Sequence, residues 1–194
     1  MGAGRIKSAD AAGRAEDLGA LWVAEFATSD LSSTVDHANL LRSVAFAQVM
    51  TSGPGQALDT VRSANQMLQN AASAATDADD VFRVREAMFP TLETLSLCEE
   101  LWGDPHASLC AAHELVQKFP SDSRAWIRLS KSYHAVEHHG RAIEALLRAA
   151  STEHTKWLFG VLGALELAVD DAEVDMVHTF ALSYGVKKEE LEPR

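Results

Sequence analysis

Cysteine, proline and long apolar runs are all scarce in this chain of 194 residues. The two cysteines, Cys98 and Cys110, form no disulfide framework, and their apolar helical surroundings predict buried thiols in a reducing compartment. No apolar run reaches the roughly 18 residues of a transmembrane helix. Residues 1–6 lack the apolar core of a signal peptide, and Ile6 stands where a myristoylation site has Ser or Thr. These absences predict a cytoplasmic protein.

Positive charge is also in short supply, because 17 lysines and arginines are set against 28 aspartates and glutamates, a formal net charge of -11. Such a field repels nucleic acids and anionic membranes, so we expect neither as a partner. Glycine-rich phosphate-binding loops and the Gly-x-Ser-x-Gly nucleophile motif are absent as well. We therefore expect a non-enzymatic protein that needs no cofactor.

Hydrophobic residues at helical spacing are plentiful. Hydrophobic residues of all kinds make up 47% of the chain, and the strongly alternating patterns typical of β-strands are absent. Besides a loop at 29–34, the spacing in the first half predicts four helices, at residues 9–28, 35–51, 56–74 and 81–101. Pro90 removes a backbone donor, so we expect the fourth helix to kink or break there. The predicted fold class is all-α.

The clearest helical pattern lies in residues 123–154. Trp126, Leu129 and Tyr133 recur at i, i+3 and i+7, which places them on one face of a helix. Gly140 marks a turn. A second apolar stripe follows at helical spacing, formed by Ala142, Ile143, Leu146, Leu147 and Ala149. This stretch predicts a hairpin of two antiparallel helices.

The order W-x2-L-x3-Y, followed by Ala142 and an aliphatic residue four positions later, resembles the tetratricopeptide repeat family. Ser130 stands where the family has glycine, and Leu146 where it favours phenylalanine. One family period of about 34 residues earlier, similar residues stand at matching positions: Leu92, Leu95, Ser96, Ser108 and Leu109. Glu99, however, occupies the tyrosine position. The resemblance implies a right-handed superhelical stack of α-hairpins with irregular N-terminal helices.

We therefore predict a single helical domain of tetratricopeptide type over residues 9–186, between a flexible tail (1–8) and a charged tail (187–194). Within this domain the repeats are expected at 89–122, 123–156 and, most faintly, 157–186. The stack would contain about eight to ten helices, with the first and last helices covering its ends.

In the family that this chain resembles, the first helix of each hairpin lines a concave groove that binds peptides. The corresponding face of this chain carries Arg124, Arg128 and Lys131, which the helical period joins into a basic ridge, with Ile127 and His134 alongside. These five residues are the predicted partner-binding site. Because arginine binds carboxylates through paired hydrogen bonds, we expect an acidic segment of a protein or peptide partner. The alternative is that these are ordinary solvated charges.

Two other functions stay open on the sequence. One is a structural subunit or chaperone-like helper that packs against another chain, or a second copy of itself, through apolar surfaces such as residues 157–169. The other and more remote one is a zinc-dependent hydrolase, because His134, Glu137 and His138 match the zinc-binding order H-x-x-E-H. The hairpin prediction argues against zinc, since it places His134 at a helix end and residues 137–140 in the turn.

Overall fold

The computed structural model describes residues 31–51, 54–152, 163–164 and 166–183. Seven helices are defined in it: α1 (Leu31–Thr51), α2 (Pro54–Ala74), α3 (Ala78–Trp102), α4 (Pro105–Lys118), α5 (Ser123–Ala135), α6 (His139–Thr152) and α7 (Asp171–Ser183). These described residues contain no strand, which confirms the all-α prediction for them. The chain divides into two compact units, Met1–Ser108 and Leu109–Arg194.

In the first unit, helices α1, α2 and α3 all pack against one another. Their core consists mainly of alanine and branched aliphatic side chains: Ala38, Ala45, Ala57, Val61, Ala64, Leu68, Val84 and Leu92. The alanines allow close approach between helices, and the larger side chains fill the remaining space. Burial of this apolar surface is the main stabilising contribution to the unit.

Helix α1 begins at Leu31 rather than at residue 35, so the predicted loop is wrong for residues 31–34. Ser32 and Thr34 are helical and half-buried. The Ser32 hydroxyl also accepts a hydrogen bond from Nη1 of Arg83 at 3.2 Å. This contact ties the first turn of α1 to α3.

Helix α3 begins at Ala78 because Asp77 caps it. The Asp77 carboxylate accepts a hydrogen bond from the backbone N–H of Asp80 at 2.8 Å. That hydrogen bond lowers the pKa of Asp77 below its usual value, while desolvation and the neighbouring Asp77 raise the pKa of Asp80. Because α3 spans Ala78–Trp102, the predicted repeat at 89–122 begins inside this helix.

The same helix continues without interruption through Pro90, so the predicted break at this residue is wrong. A proline removes only one N–H donor, and the neighbouring turns keep theirs. Two threonine hydroxyls add local hydrogen bonds: Thr91 donates to the Ala87 carbonyl at 2.9 Å, and Thr94 donates to the Pro90 carbonyl at 2.7 Å. Burial of Phe89 and Leu92 on either side of Pro90 favours a continuous helix.

A buried ion pair joins α2 to the end of α3. The Glu99 side chain is only 5% exposed, and its Oε1 lies 2.7 Å from Nη2 of Arg62, whose Nε donates to the same oxygen at 2.8 Å. The Arg62 side chain is half exposed. Gly103 ends the helix so close to this site that an added Cβ would overlap the Glu99 carboxylate.

In the second unit, α5 and α6 form the predicted pair of packed helices. Asp122 caps α5 by accepting a hydrogen bond from the Arg124 N–H at 2.9 Å. The turn between the helices contains Glu137 in the left-handed region, with φ 61. The His138 N–H then donates to the Tyr133 carbonyl at 2.9 Å, which closes the end of α5.

Helix α7 starts at Asp171, and a reciprocal pair of hydrogen bonds fixes this start. Asp170 Oδ1 accepts from the Glu173 N–H at 2.8 Å, and Glu173 Oε2 accepts from the Val169 N–H at 2.8 Å. Helix α7 contributes to one hydrophobic cluster with α6 and the residues before it: Ile143, Leu147, Ala164, Val177 and Ala181.

Several predictions concern residues outside the described part, namely the helix at 9–28, both tails and most of the segment at 157–169. Of the two thiols, Cys98 is fully buried as predicted, but Cys110 is exposed, so the prediction is wrong for Cys110. Cys110 lies on the side of α4 opposite its buried stripe, which is formed by Ser108, Ala111, Ala112, Leu115 and Val116. Within the described residues, no helix combines the length and the apolar character needed to cross a bilayer.

Candidate functional site

One face of α5 carries four of the five predicted binding residues. Arg124, Lys131 and His134 are exposed on it, and Ile127 is half-buried. Arg124 is held locally, because its Nη2 lies 2.7 Å from Oδ2 of Asp122 and its Nε donates to Oδ1 at 3.1 Å. Lys131 has no ion pair among the described residues. The face therefore offers two exposed cations around an apolar side chain.

Arg128, the fifth predicted residue, is not part of this exposed face. It is only 6% exposed, so the continuous basic ridge expected from helical spacing is interrupted. Four small side chains of α5 are buried as well: Ser123, Ala125, Ser130 and Ser132. A simple two-sided helical pattern does not anticipate such a position.

The histidines around the turn are brought together only in part. The His134 and His139 rings lie with their centroids 5.2 Å apart. Helix α5 ends at Ala135, so His134 and His138 do not share a helix face as the H-x-x-E-H interpretation requires. No group of three or more metal-binding side chains is arranged for a metal ion in the described part of the chain.

A cavity of about 650 Å³ opens on the other side of α5, within the second unit. Its apolar walls are formed by Val116, Trp126, Leu129, Ala145, Leu147 and Phe180. Its polar lining consists of His113, Gln117, Tyr133, Arg141, Glu144, Arg148 and Ser151. Both the volume and the mixed lining match those of ligand-binding clefts, which enclose roughly 300–1,000 Å³.

The aromatic walls of this cavity are held in place by their own contacts. The Tyr133 hydroxyl lies 2.9 Å from Nε2 of His113, and the two rings meet edge to face at 5.4 Å. The Arg141 guanidinium carbon lies 5.9 Å from the centre of the Tyr133 ring. Trp126 Nε1 donates to the Pro120 carbonyl at 2.8 Å. These side chains are thus positioned before any ligand binds.

Helix α6 supplies the charges of the cavity. Arg141, Glu144 and Arg148 follow one another at i, i+3 and i+7 and share one helix face. Both arginine side chains are exposed, and within the described part of the chain neither guanidinium forms an ion pair with a carboxylate. Two arginines and one glutamate give the lining an excess of positive charge, in contrast to the net charge of -11 of the whole chain.

Sequence reasoning did not identify this cavity. The spacing of Arg141, Glu144 and Arg148 could have revealed their common face, because it follows the helical period directly. By contrast, the contact between His113 and Tyr133 depends on how two helices pack, and no local pattern encodes it. The sequence places Trp126 on the apolar face of its helix and does not indicate that it is half-buried and lines a cavity.

Comparison with models of known protein families gave no match, and comparison with curated proteins gave none either. Function must therefore be inferred from the two sides of α5 and the chemistry that each side presents.

Proposed function

We propose that the protein is a non-enzymatic interaction scaffold, built from hairpins of tetratricopeptide type, which binds a segment of a protein partner along the exposed face of α5. The observation that carries this proposal is the alignment of Arg124, Lys131 and His134 around the half-buried Ile127. Arg128 is left out of the direct contacts because it is buried.

The packing of small residues supports the repeat interpretation. Ser96 and Ser108 are fully buried, with their hydroxyl oxygens 3.1 Å apart. One repeat period of about 34 residues later, Ser130 and Ala142 are equally buried. Small residues at both positions of each pair are what a close contact between two helices requires. The two stretches therefore carry small, buried residues at corresponding positions.

The partner expected from this face is an acidic segment with at least one apolar side chain. Ile127 would supply apolar burial, and this burial would provide most of the affinity. Lys131 and Arg124 would mainly orient the partner and speed its association, since exposed charges affect association rates more than affinity. Arg124 would exchange part of its contact with Asp122 for a carboxylate of the partner.

Affinity capture with charge-reversed variants tests this proposal. Wild type is compared with the double variant Arg124→Glu, Lys131→Glu and with a matched control, Arg85→Glu, Lys118→Glu, which reverses two exposed cations elsewhere. We expect a protein partner that binds wild type and the control but is lost from the α5 variant, with unchanged circular dichroism. A partner retained by all three proteins would refute binding at this face.

A second candidate function is that of a subunit held in an assembly by apolar contacts. The specific observation is the exposure of Phe82, 63%, and Val81, 50%, on α3. Phe82 also borders a depression of about 370 Å³ together with Val35 and Asn39 of α1. A large exposed aromatic side chain beside a depression is typical of a surface that packs against another chain.

Measurement of mass against concentration tests this second candidate. If a second copy covers this surface, wild type should form a dimer at micromolar concentrations, and Phe82→Glu should remain a monomer. The matched variant Phe46→Glu changes another aromatic residue of the first unit that is 53% exposed. A wild-type protein that stays monomeric throughout the range would rule out self-association through Phe82.

A further inference from the structure

The cavity bounded by α4, α5, α6 and α7 has a lining that differs from the exposed face of α5. Its walls are apolar and aromatic, and its two arginines have no carboxylate partner among the described residues. Arg141 and Arg148 are separated by two turns of α6, which corresponds to about 10 Å along the helix axis. An apolar cleft with a cation at each end of one wall is complementary to an apolar group that carries two anions.

We propose that this cavity is a second binding site, and that it takes an extended peptide segment in which two acidic residues flank hydrophobic ones. In the polyproline II form of an extended chain, each residue advances about 3.1 Å and three residues complete one turn, so acidic side chains three positions apart point to the same side and are separated by about 9 Å, close to the spacing of the two arginines. Each guanidinium binds one carboxylate, and the intervening side chains lie against Trp126, Leu129 and Phe180. The expected pattern is Glu-x-x-Glu with apolar x.

The open form of the cavity favours a peptide over a small enclosed molecule. A peptide uses the length of α6 and makes contacts with both cations at once, which gives orientation as well as affinity. Glu144 lies between the arginines and opposes any carboxylate placed at the centre of the cleft. For this reason the acidic groups belong at the ends of the segment and the hydrophobic ones in the middle.

Fluorescence anisotropy with a labelled peptide, Gly-Glu-Leu-Phe-Glu-Gly, tests the proposal directly. Two comparison peptides separate the contribution of the charges from that of the apolar side chains. Gly-Gln-Leu-Phe-Gln-Gly lacks the charges, and Gly-Glu-Ser-Ser-Glu-Gly lacks the hydrophobic side chains. We expect measurable binding of the first peptide, and at least about tenfold weaker binding of the other two. Equal binding of the neutral peptide, or no binding of the first, would overturn the proposal.

Two double variants locate the binding. Arg141→Gln, Arg148→Gln should weaken binding of the first peptide at least about tenfold, whereas Arg124→Gln, Lys131→Gln on the other side of α5 should change it less than about twofold. If only the second variant loses the peptide, the cavity proposal fails and binding at the α5 face is supported. If only the first variant loses it, the cavity is confirmed whether or not the α5 face binds a partner.

A variant that is expected to bind the peptide more tightly separates a direct effect on binding from an effect of misfolding. Glu144→Gln removes the one carboxylate of the cavity lining, so the peptide should bind about twofold or more tightly. Partial unfolding lowers affinity and cannot produce this gain. Unchanged or weaker binding by Glu144→Gln would contradict the proposed position of the acidic side chains.

Discussion

The core of the first unit and the cavity of the second unit differ in how their charged and polar side chains are exposed. In the first unit, Glu99 and His37 are buried in a helical core, at 4% and 6% exposure. In the second unit, Arg141 and Arg148 remain exposed and line an open cavity. Burial makes an unpaired charge costly, so polar groups in the first unit influence stability, whereas exposed charges in the second can change with little effect on folding.

This difference suggests that the buried polar groups of the first unit affect stability and that the cavity of the second unit affects binding. Substitutions of Glu99 or His37 should change the free energy of unfolding, and substitutions of Arg141 or Arg148 should change binding instead. Each experiment below contrasts one residue of the first unit with a matched residue of the second.

The largest effect is expected from truncation of a fully buried aliphatic side chain in each core. Leu68→Ala and Ile143→Ala both remove a side chain with 0% exposure, so each should lower the free energy of unfolding by about 2–5 kcal/mol. Hydrogen exchange should show faster exchange mainly in α2 for Leu68→Ala and mainly in α6 for Ile143→Ala. If either variant affects both helices equally, the two units unfold as one cooperative structure.

A smaller effect is expected from the two ion pairs. Glu99→Ala removes a carboxylate that is 5% exposed and should cost about 2 kcal/mol, since Arg62 can still reach water. Arg124→Ala removes the 60% exposed partner of Asp122 and should cost less than about 0.5 kcal/mol. Urea denaturation measures both values. Equal costs would show that burial does not distinguish these pairs.

Gly103→Ala offers a second way to disturb the buried pair without removing either charge. The added methyl group would displace the Glu99 carboxylate from Arg62, so we expect most of the destabilisation seen in Glu99→Ala. Gly140→Ala is the matched change in the second unit, where the nearest atom to an added Cβ is Glu173 Oε1 at 3.4 Å. Little change is expected there, because the end of a flexible side chain can move.

The smallest effect is a dependence of stability on pH. Burial lowers the pKa of His37 below its ordinary value of about 6.5, and its Nε2 has no hydrogen-bond partner among the described residues. Below that pH the unfolded chain takes up a proton before the folded one does. The free energy of unfolding should therefore fall as the pH falls from about 6.5 toward the folded-state pKa, by at most about 1.4 kcal/mol per pH unit.

His37→Gln isolates this contribution, because the two proteins share every other titratable group. The difference in unfolding free energy between wild type and variant should change with pH below about 6.5 and stay constant above it. His134→Gln, which changes an exposed histidine of the second unit, serves as the control for loss of a histidine outside the core. A constant difference for His37→Gln would show that this side chain is protonated equally in both states.

Helical period explains which parts of the fold could be predicted. The stripes of Trp126, Leu129 and Tyr133, and of Ala142 and Ile143, depend only on local spacing, and the corresponding helices are present. Helix ends were less predictable, because they depend on capping residues and on the burial of flanking side chains as well as on the apolar spacing. Asp77 starts α3 well before the expected repeat boundary, and flanking buried residues carry α3 through Pro90.

The candidate sites were harder to predict because they depend on packing between helices. Arg128 matches Arg124 and Lys131 in spacing and chemistry, yet it is buried. The cavity combines residues as distant in sequence as His113 and Phe180. A single sequence specifies the faces of each helix, but it does not state which face a neighbouring helix will cover.

Helix α3 also determines how this chain can be divided. Repeat proteins are often shortened or recombined at repeat boundaries, because each repeat is a complete hairpin. Here a cut at residue 89 would fall within one continuous helix and would remove Val84, Ala87 and Met88, all of them buried. A junction at residues 75–77 would keep α3 whole but would separate it from α1 and α2, with which it packs, so α1, α2 and α3 should stay together in any exchange of modules or truncation.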